Sequence, residues 1–244
     1  VFHTPEALAE KRRDMGPYVF GAQMMQDPTA DETQGFSESW LRYAQPNQFG
    51  LNVYMIFDPA SSKKKSSDYT AGWVIGLAAD RNMYVLDMVC DRLSLTQRAD
   101  LVMGWHRRWR PLAVGYERYG MMADIEHILD RQEKENYRFP ITELAGAMPK
   151  IDRIRRLIPW FESGRIYMPQ KFDKTNYEGR TVDLAEAFVK EEYLPFPVGL
   201  HDDMLDALAR VLDDNFPAEW PMEFDEGVRY DEDVFLNRSP VTGY

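Results

Sequence analysis

A mostly apolar run that ends in a single carboxylate, Leu51–Asp58, constrains this chain most. Residues 53–57 show no alternation of apolar and polar side chains, which is typical of a central strand buried on both faces of a sheet. Pro59 follows at once and cannot donate to a sheet ladder, so we expect the strand to end at Asp58. A carboxylate there is costly to bury unless it is paired, and a metal ion is the usual partner. The alternative is an aspartate that caps a turn.

Composition and termini limit the class of protein. The 244 residues are 44% hydrophobic, enough for a packed core in one sizeable domain with extensions or in two small ones. A single cysteine, Cys90, excludes an internal disulfide and favours a reducing compartment. The sequence shows neither a membrane-spanning stretch nor a signal peptide. Because it begins at Val1 rather than Met, we expect a segment of a longer protein.

The net charge of −11 argues against a nucleic-acid binder, whose expected footprint is basic. Two features weaken this objection. Many of the acids lie in residues 219–233, which we interpret as part of a solvated tail. A metal-dependent nuclease also needs carboxylates, and bound cations reverse the local sign of the charge. Charge therefore lowers the expectation of DNA binding without excluding it.

The order of elements predicts an α/β fold with a mixed sheet and helices on both faces. Three strands joined by short turns indicate an antiparallel meander. These predicted strands are residues 51–58, 69–79 and 82–90. A helix with capping-box spacing at Ser94 and Gln97 follows, and helices and strands then alternate up to a last amphipathic helix at 200–214.

We divide the chain into three parts. Residues 1–50 are assigned to an arm that links the domain to a preceding one and opens with a helix from Pro5 to Met15. Residues 51–215 are assigned to the folded domain, and residues 216–244 to an acidic tail.

Three acidic positions fall where predicted strands end or the last helix begins. Asp58 ends the first strand, Glu117 ends the fourth, and His201–Asp203 opens the last helix, with Asp206 shortly after. In open α/β sheets, functional groups collect beyond the carboxyl ends of parallel strands. Clustered acids there repel one another unless hard cations bridge them, and oxygen ligands favour Mg²⁺ or Mn²⁺ over zinc.

Each of these acids also has an ordinary structural explanation. Asp202 or Asp203 is suited to cap the last helix, because acids are favourable at a helix N-terminus. Asp206 lies four residues before Arg210, and the two can pair at the surface. Glu117 is compatible with a core ion pair. These explanations are less convincing together, because two buried strands would both end in a carboxylate.

Four segments carry a specific resemblance when they are taken together. They are FDPA at 57–60 with Asp68 downstream, YERYG at 116–120, KIDRIRRLIPWFESGRIYMP at 150–169 and HDDMLDALA at 201–209. In these segments the chain resembles the C-terminal nuclease domain of the large terminase subunit of tailed bacteriophages, a member of the RNase H-like superfamily. Each motif is weak alone, but the combination is specific and covers most of residues 51–213.

The resemblance implies an RNase H-like mixed sheet, with the fourth strand beside the first and a final helix that carries the last acid. It also implies an endonuclease that cuts double-stranded viral DNA concatemers during genome packaging, using two divalent cations, Mg²⁺ or Mn²⁺. Portal protein and the small terminase subunit are then the expected partners, and the host cytoplasm the expected location. Since no GxxxxGK[ST] motif occurs in these 244 residues, we expect no ATPase in this chain.

Transferred position by position, the resemblance assigns metal binding to Asp58, Glu117 and one aspartate of the pair Asp202 and Asp203. We choose Asp203 as the catalytic ligand, because Asp202 is the better candidate for the helix cap. The resemblance by itself does not separate these two residues. Three further residues are candidates for outer partners of the ions, with the third expected to act only through water or Arg210: His201, Asp68 and Asp206.

Two basic clusters are candidate contacts for DNA phosphates. Lys63, Lys64 and Lys65 follow the first strand, and a solvated surface loop is an equally good explanation for them. Lys150 and Arg153 share a face at the start of a predicted helix and suit a phosphate-facing edge. The alternative for this second pair is contact with the abundant acids.

Two rival functions remain compatible with the sequence. Another RNase H-like nuclease, of resolvase or transposase type, is expected to carry a more basic surface and its own specificity elements. A non-catalytic docking module for the portal or the small terminase subunit is expected to lack some of the acids. Metal-dependent cutting of plasmid DNA separates the docking module from a nuclease.

Overall fold

The structure, a computed structural model, describes six parts of the chain. They are residue 4 and residues 35–44, 50–59, 69–118, 122–176 and 178–221. The predicted opening helix, the loop with Lys63–Lys65 and Asp68, and the tail beyond residue 221 lie outside the described residues. None of the helices in the described parts is long and apolar enough to cross a membrane.

Seven of the strands in the described ranges form one mixed sheet in the order β1-β7-β4-β3-β2-β5-β6. The strands are β1 Arg42–Tyr43, β2 Asn52–Asp58, β3 Thr70–Leu77, β4 Met83–Asp91, β5 Ala113–Glu117, β6 Thr142–Leu144, β7 Ile166–Met168, and the separate hairpin β8 Asp173–Thr175 and β9 Thr181–Asp183. Strands β2, β3 and β4 form the antiparallel meander, and β5 lies parallel to β2. The predicted RNase H-like sheet, with the fourth predicted strand beside the first, is therefore confirmed.

Helices pack on both faces of this sheet. They are α1 Leu95–Trp109, α2 Met122–Lys134, α3 Lys150–Arg155, α4 Ile158–Glu162, α5 Leu184–Ala187 and α6 Asp203–Ala209, with a π-helical turn at Phe188–Tyr193. The predicted capping box of α1 is present, with Ser94 Oγ accepting from the Gln97 amide at 3.3 Å and Gln97 Oε1 accepting from the Ser94 amide at 2.9 Å.

Two predicted helices differ from the observed ones. The helix expected at 151–162 is broken into α3 and α4, because Pro159 has no N–H to continue the backbone hydrogen bonds. The helix expected at 181–192 begins instead as strand β9, which pairs with β8. We did not predict strand β8, which is only three residues long and polar.

The central strand β2 is buried on both faces, as its unbroken apolar pattern predicts. Tyr54 and Ile56 point into the core beneath α3 to α6, while Met55 and Phe57 point into the core beneath α1 and α2. All four side chains are at most 1% exposed. Burial on both faces places the end of β2, and therefore its carboxylate, in the middle of the molecule.

The packed body extends past both ends of the predicted domain, 51–215. Phe36 is buried and stacks on Tyr193 with ring centroids 4.7 Å apart, and the adjacent strand β1 pairs with β7. On the other side, Phe216 packs against Tyr54 with centroids 5.8 Å apart. The division into arm, domain and tail stays a prediction, but the described residues on both sides belong to the same core.

Candidate metal centre

Two parallel strands deliver the first two acids to one edge of the sheet. In the register of β2 and β5, Phe57 lies beside Tyr116, so the last residues of the two strands, Asp58 and Glu117, lie next to each other. Helix α6 crosses this edge and adds Asp206. One carboxylate oxygen from each of Asp58, Glu117 and Asp206 lies within 4.8 Å of the other two. We call these residues the three-acid group.

The start of helix α6 is held from two sides. Trp73 on β3 donates its indole N–H to the Met204 carbonyl at 2.8 Å in the buried core. Glu192, on the π-helical turn, accepts from the backbone amides of Met204 and Leu205 through Oε2 at 2.8 and 3.1 Å. Burial raises the pKa of Glu192 to about 8. These contacts fix where the acids of α6 point.

Two buried arginines bind two members of the three-acid group. Arg153 donates from Nε and Nη2 to the two oxygens of Asp206 at 2.6 and 2.8 Å, and both side chains are nearly inaccessible. Arg210 donates to Glu117 Oε1 and, at 3.0 Å, to Asp213. Charge-assisted hydrogen bonds of this kind are strong and hold the orientation of the two carboxylates.

The remaining electrostatics of the three-acid group fit a cation. Glu117 Oε2 is buried without a hydrogen-bond partner among the described residues, which is costly for a carboxylate oxygen. The pKa of Asp58 lies well above its usual range, first because the carboxyl is desolvated by burial and then because Glu117 and Asp206 repel its charge. A divalent cation would relieve both costs, and three oxygen ligands suit Mg²⁺ or Mn²⁺.

A lysine ammonium lies beside the three-acid group. Lys150 Nζ is 2.7 Å from Asp202 Oδ1 and 2.8 Å from Asp203 Oδ1. Burial alone would lower the pKa of Lys150, but Asp203 and Asp202 together raise it above its ordinary value. The same ammonium also acts on Asp58, where it favours the charged form. The carboxylates of Asp202 and Asp203 are therefore paired with the positively charged side chain of Lys150.

A cavity of about 560 Å³ opens next to this lysine-bound pair of aspartates. Its wall includes Glu192, His201 and Asp203, but no member of the three-acid group. His201 is exposed and makes an edge contact with Tyr69 at 6.0 Å between ring centroids. The cavity is therefore a neighbour of the candidate metal centre and does not contain it.

The structure brings Asp58 and Glu117 together as expected, but the third carboxylate in the group is Asp206, not Asp203. Asp206 lies on the inner side of α6 and is only 2% exposed, whereas Asp203 is partly exposed and faces Lys150. The expectation that Asp206 acts at a distance, through water or an arginine partner on its own helix, differs from this geometry. Direct metal binding by Asp203 stays a prediction.

Other expectations for this region need correction. Asp202 occupies the N-cap position of α6 but makes no side-chain capping bond, because its carboxylate binds Lys150. Arg153 is 5% exposed and paired with Asp206, so it is not available to a DNA phosphate. Lys150 is likewise paired with acids. The alternative in which Asp206 pairs with Arg210 at the surface does not hold, since both side chains are buried, Asp206 binds Arg153 and Arg210 binds Glu117.

The sequence analysis does not predict the contacts that Glu192 and Arg210 make at this centre. One signal for Glu192 was available: residues 185, 188 and 192 have helical spacing, and the first two are apolar, so residue 192 was due to face the core. For Arg210, the signal was that apolar residues flank it in the last helix, which indicates a buried position. Both side chains are buried and both contact the helix or the acids of the centre.

Residues 55–214 match the family described as the Terminase RNaseH-like domain, and the chain belongs to this family. A comparison with curated protein sequences finds no match. The resemblance noted from the sequence motifs is thus confirmed.

Three solved structures are similar to this chain to different degrees. The human cytomegalovirus terminase nuclease domain, soaked with Mn and with an inhibitor bound, has a TM-score of 0.50 at 14% identity, over 73% of this chain and 95% of that one. The large terminase nuclease from thermophilic phage G20c with bound zinc has a TM-score of 0.39 at 15% identity, over 70% and 90%. Thermus thermophilus RuvC in complex with a Holliday junction substrate has a TM-score of 0.34 at 14% identity, over 64% and 88%. At 14% identity, the likeness to the first of these structures shows the fold alone, while family membership and the three-acid group support a metal-dependent nuclease.

Proposed function

We propose that this chain is an endonuclease that cuts double-stranded viral DNA concatemers during genome packaging, in the host cytoplasm, with little sequence preference. The observation that carries the proposal is the three-acid group at the ends of two buried parallel strands, in a chain of the terminase RNase H-like family. Two divalent cations, Mg²⁺ or Mn²⁺, would supply an activated water and stabilise charge on the phosphate and the departing oxygen. Portal protein and the small terminase subunit are the partners that family membership favours.

The residues of the site divide this work. The three-acid group is assigned one cation, with Arg153 and Arg210 holding two of its carboxylates in position. Asp203 and Asp202 are assigned the second cation, because their carboxylates lie together and both contact the Lys150 ammonium, at 2.8 and 2.7 Å. Contacts to the DNA backbone are assigned to the basic loop Lys63–Lys65, and outer positions around the ions to His201 and Asp68.

The first test is cutting of supercoiled plasmid by the folded chain in millimolar Mn²⁺ or Mg²⁺. Nicked and linear products are expected, EDTA should abolish them, and rising salt should suppress them because phosphate contacts release counterions. Asp58→Asn and Glu117→Ala are each expected to eliminate cutting. Asp130→Asn, on the exposed face of α2, is the matched control and should cut like the wild type.

Three results would contradict the proposal in different ways. Unchanged plasmid with folded wild-type protein would favour a non-catalytic docking module for the portal or the small terminase subunit. Strong preference for a branched junction over linear duplex would favour a resolvase-type nuclease. Near wild-type cutting by Asp58→Asn or Glu117→Ala would show that the altered residue is not a metal ligand.

A further inference from the structure

We propose that Glu192 is a positioning residue for the second cation: it caps helix α6 from another element, so that Asp202 and Asp203 both remain available to bind a cation. This inference rests on the proposed metal-dependent function. It assigns a role to a residue outside the acidic motifs, at the end of the π-helical turn Phe188–Tyr193.

The first step concerns the unpaired amides at the start of α6. The first amides of any helix lack partners inside the helix and need an acceptor. Asp202 stands at the N-cap and has the side chain that usually provides one. Instead, its carboxylate binds Lys150 Nζ at 2.7 Å, and Glu192 Oε2 accepts from Met204 and Leu205. The capping function has therefore moved to Glu192.

The second step concerns why Glu192 holds this position. Its side chain is only 4% exposed, and the flanking Phe188 and Tyr193 are at most 1% exposed, so the turn that carries it is embedded in the core. A buried carboxylate is costly unless it is hydrogen-bonded. The two amides of α6 supply those hydrogen bonds, and the carboxylate in turn locks the start of the helix.

The third step is the consequence for the aspartates. If the Glu192 carboxylate is removed, the amides of Met204 and Leu205 lose their acceptor, and the nearest replacement is the side chain of Asp202 itself. If the Asp202 carboxylate turns back to cap the helix, it moves away from Lys150 and from the carboxylate of Asp203. Only the Asp203 carboxylate then remains in position to bind a cation.

The test compares Glu192→Ala with Glu192→Gln, which keeps an oxygen acceptor of the same length, by calorimetric titration of the full chain with Mn²⁺. Glu192→Ala is expected to lower the affinity for the second Mn²⁺ by about 10–100-fold, the usual effect of losing a residue that supports a metal ligand. Glu192→Gln should restore binding close to wild type. Glu191→Ala alters the exposed neighbour on the same turn and should leave Mn²⁺ binding unchanged.

A fourth variant keeps the inference testable if Glu192→Ala does not fold. Glu192→Asp retains a carboxyl group but is one methylene shorter, so it is expected to cap poorly and bind the second Mn²⁺ more weakly than Glu192→Gln. Tighter binding of the second Mn²⁺ by Glu192→Asp than by Glu192→Gln, or equal binding in all folded variants, would overturn the role of Glu192 but not the proposed function. Absence of Mn²⁺ binding in the wild type would overturn the proposed function and this inference with it.

Discussion

Asp58 has the least favourable electrostatic environment of the three-acid group. Desolvation raises its pKa, and the nearby charges of Glu117 and Asp206 raise it further. The other two acids each have a buried arginine, Arg210 or Arg153, on one of their oxygens. Without a metal, the ionised form of Asp58 therefore opposes folding, which is a common cost of a preformed cation site.

This cost predicts that Asp58→Asn raises the melting temperature of the metal-free protein, in a way that depends on pH. A carboxyl whose pKa is higher in the folded than in the unfolded state stabilises the fold while it is protonated and loses that contribution as pH rises through the folded-state pKa. The gain from the substitution should therefore be small near pH 4, about the ordinary carboxyl pKa, and grow at higher pH.

Thermal unfolding in EDTA across this pH range measures the effect. Asp130→Asn, which alters an exposed carboxylate, is expected to show no such growth. A difference between Asp58→Asn and the wild type that stays constant with pH would contradict the assignment of the effect to ionised Asp58.

At the scale of elements, the centre depends on how two short helices face each other. Lys150 and Arg153 of α3 are three residues apart, and they bind Asp203 and Asp206 of α6, which are also three apart. The two ion pairs differ in burial, since the Arg153–Asp206 pair is buried and the Lys150–Asp203 pair is partly exposed. Helix α6 thereby supplies the buried Asp206 to the three-acid group and the more exposed Asp203 to Lys150.

This arrangement predicts different effects of the two aspartates. Asp206→Asn is expected to remove the cation of the three-acid group and, because Arg153 stays buried opposite a neutral amide, to lower the free energy of unfolding by about 3–5 kcal/mol. Asp203→Asn is expected to weaken binding of the second cation with a much smaller loss of stability, since the Lys150–Asp203 ion pair is partly exposed.

Mn²⁺ stoichiometry from calorimetry, with the unfolding free energy from denaturant titration, separates these effects. These expectations make Asp206 a direct ligand of one cation, whereas the sequence motifs favoured Asp203 as the catalytic ligand and an indirect role for Asp206. An Asp206→Asn protein that binds both ions like the wild type would support the indirect role of Asp206 that the motifs favoured.

At the scale of the whole molecule, the nuclease fold includes residues that we had assigned to the arm. Phe36 contacts Phe161, Tyr193 and Phe196, with ring centroids between 4.7 and 5.4 Å, and Leu41 is buried in the same core. Strand β1 then covers the edge of β7. Residues 35–44 therefore close one side of the sheet and support the turn that carries Glu192.

Phe36→Ala in the full chain is accordingly expected to lower the free energy of unfolding by about 3–5 kcal/mol, the usual cost of removing a buried aromatic ring. Tyr43→Ala alters a 44% exposed side chain of the same segment and should cost much less. Urea titration followed by tryptophan fluorescence measures both. Equal stability of Phe36→Ala and the wild type would show that this segment is not part of the folded body.

Much of the architecture was predictable because it depends on local patterns. The unbroken apolar run of β2, the proline after Asp58 and the capping box of α1 all act within a few residues of one another. The fold class and the meeting of Asp58 with Glu117 were predictable too, the second because parallel neighbouring strands end at one edge of a sheet. Short elements such as β8 were not, since three polar residues carry no clear pattern.

The sequence by itself therefore determined the class of fold, the family and the edge of the sheet where the acids collect. Only the tertiary structure decided which acid of α6 joins them and what holds each one. Arg153 and Asp206 are 53 residues apart in the chain, and Arg210 and Glu117 are 93 apart. Such pairs form when packed helices bring distant side chains together, and the free energy of burying a charge then selects the partner. The periodicity of apolar residues along the chain does not predict which of these distant side chains pair.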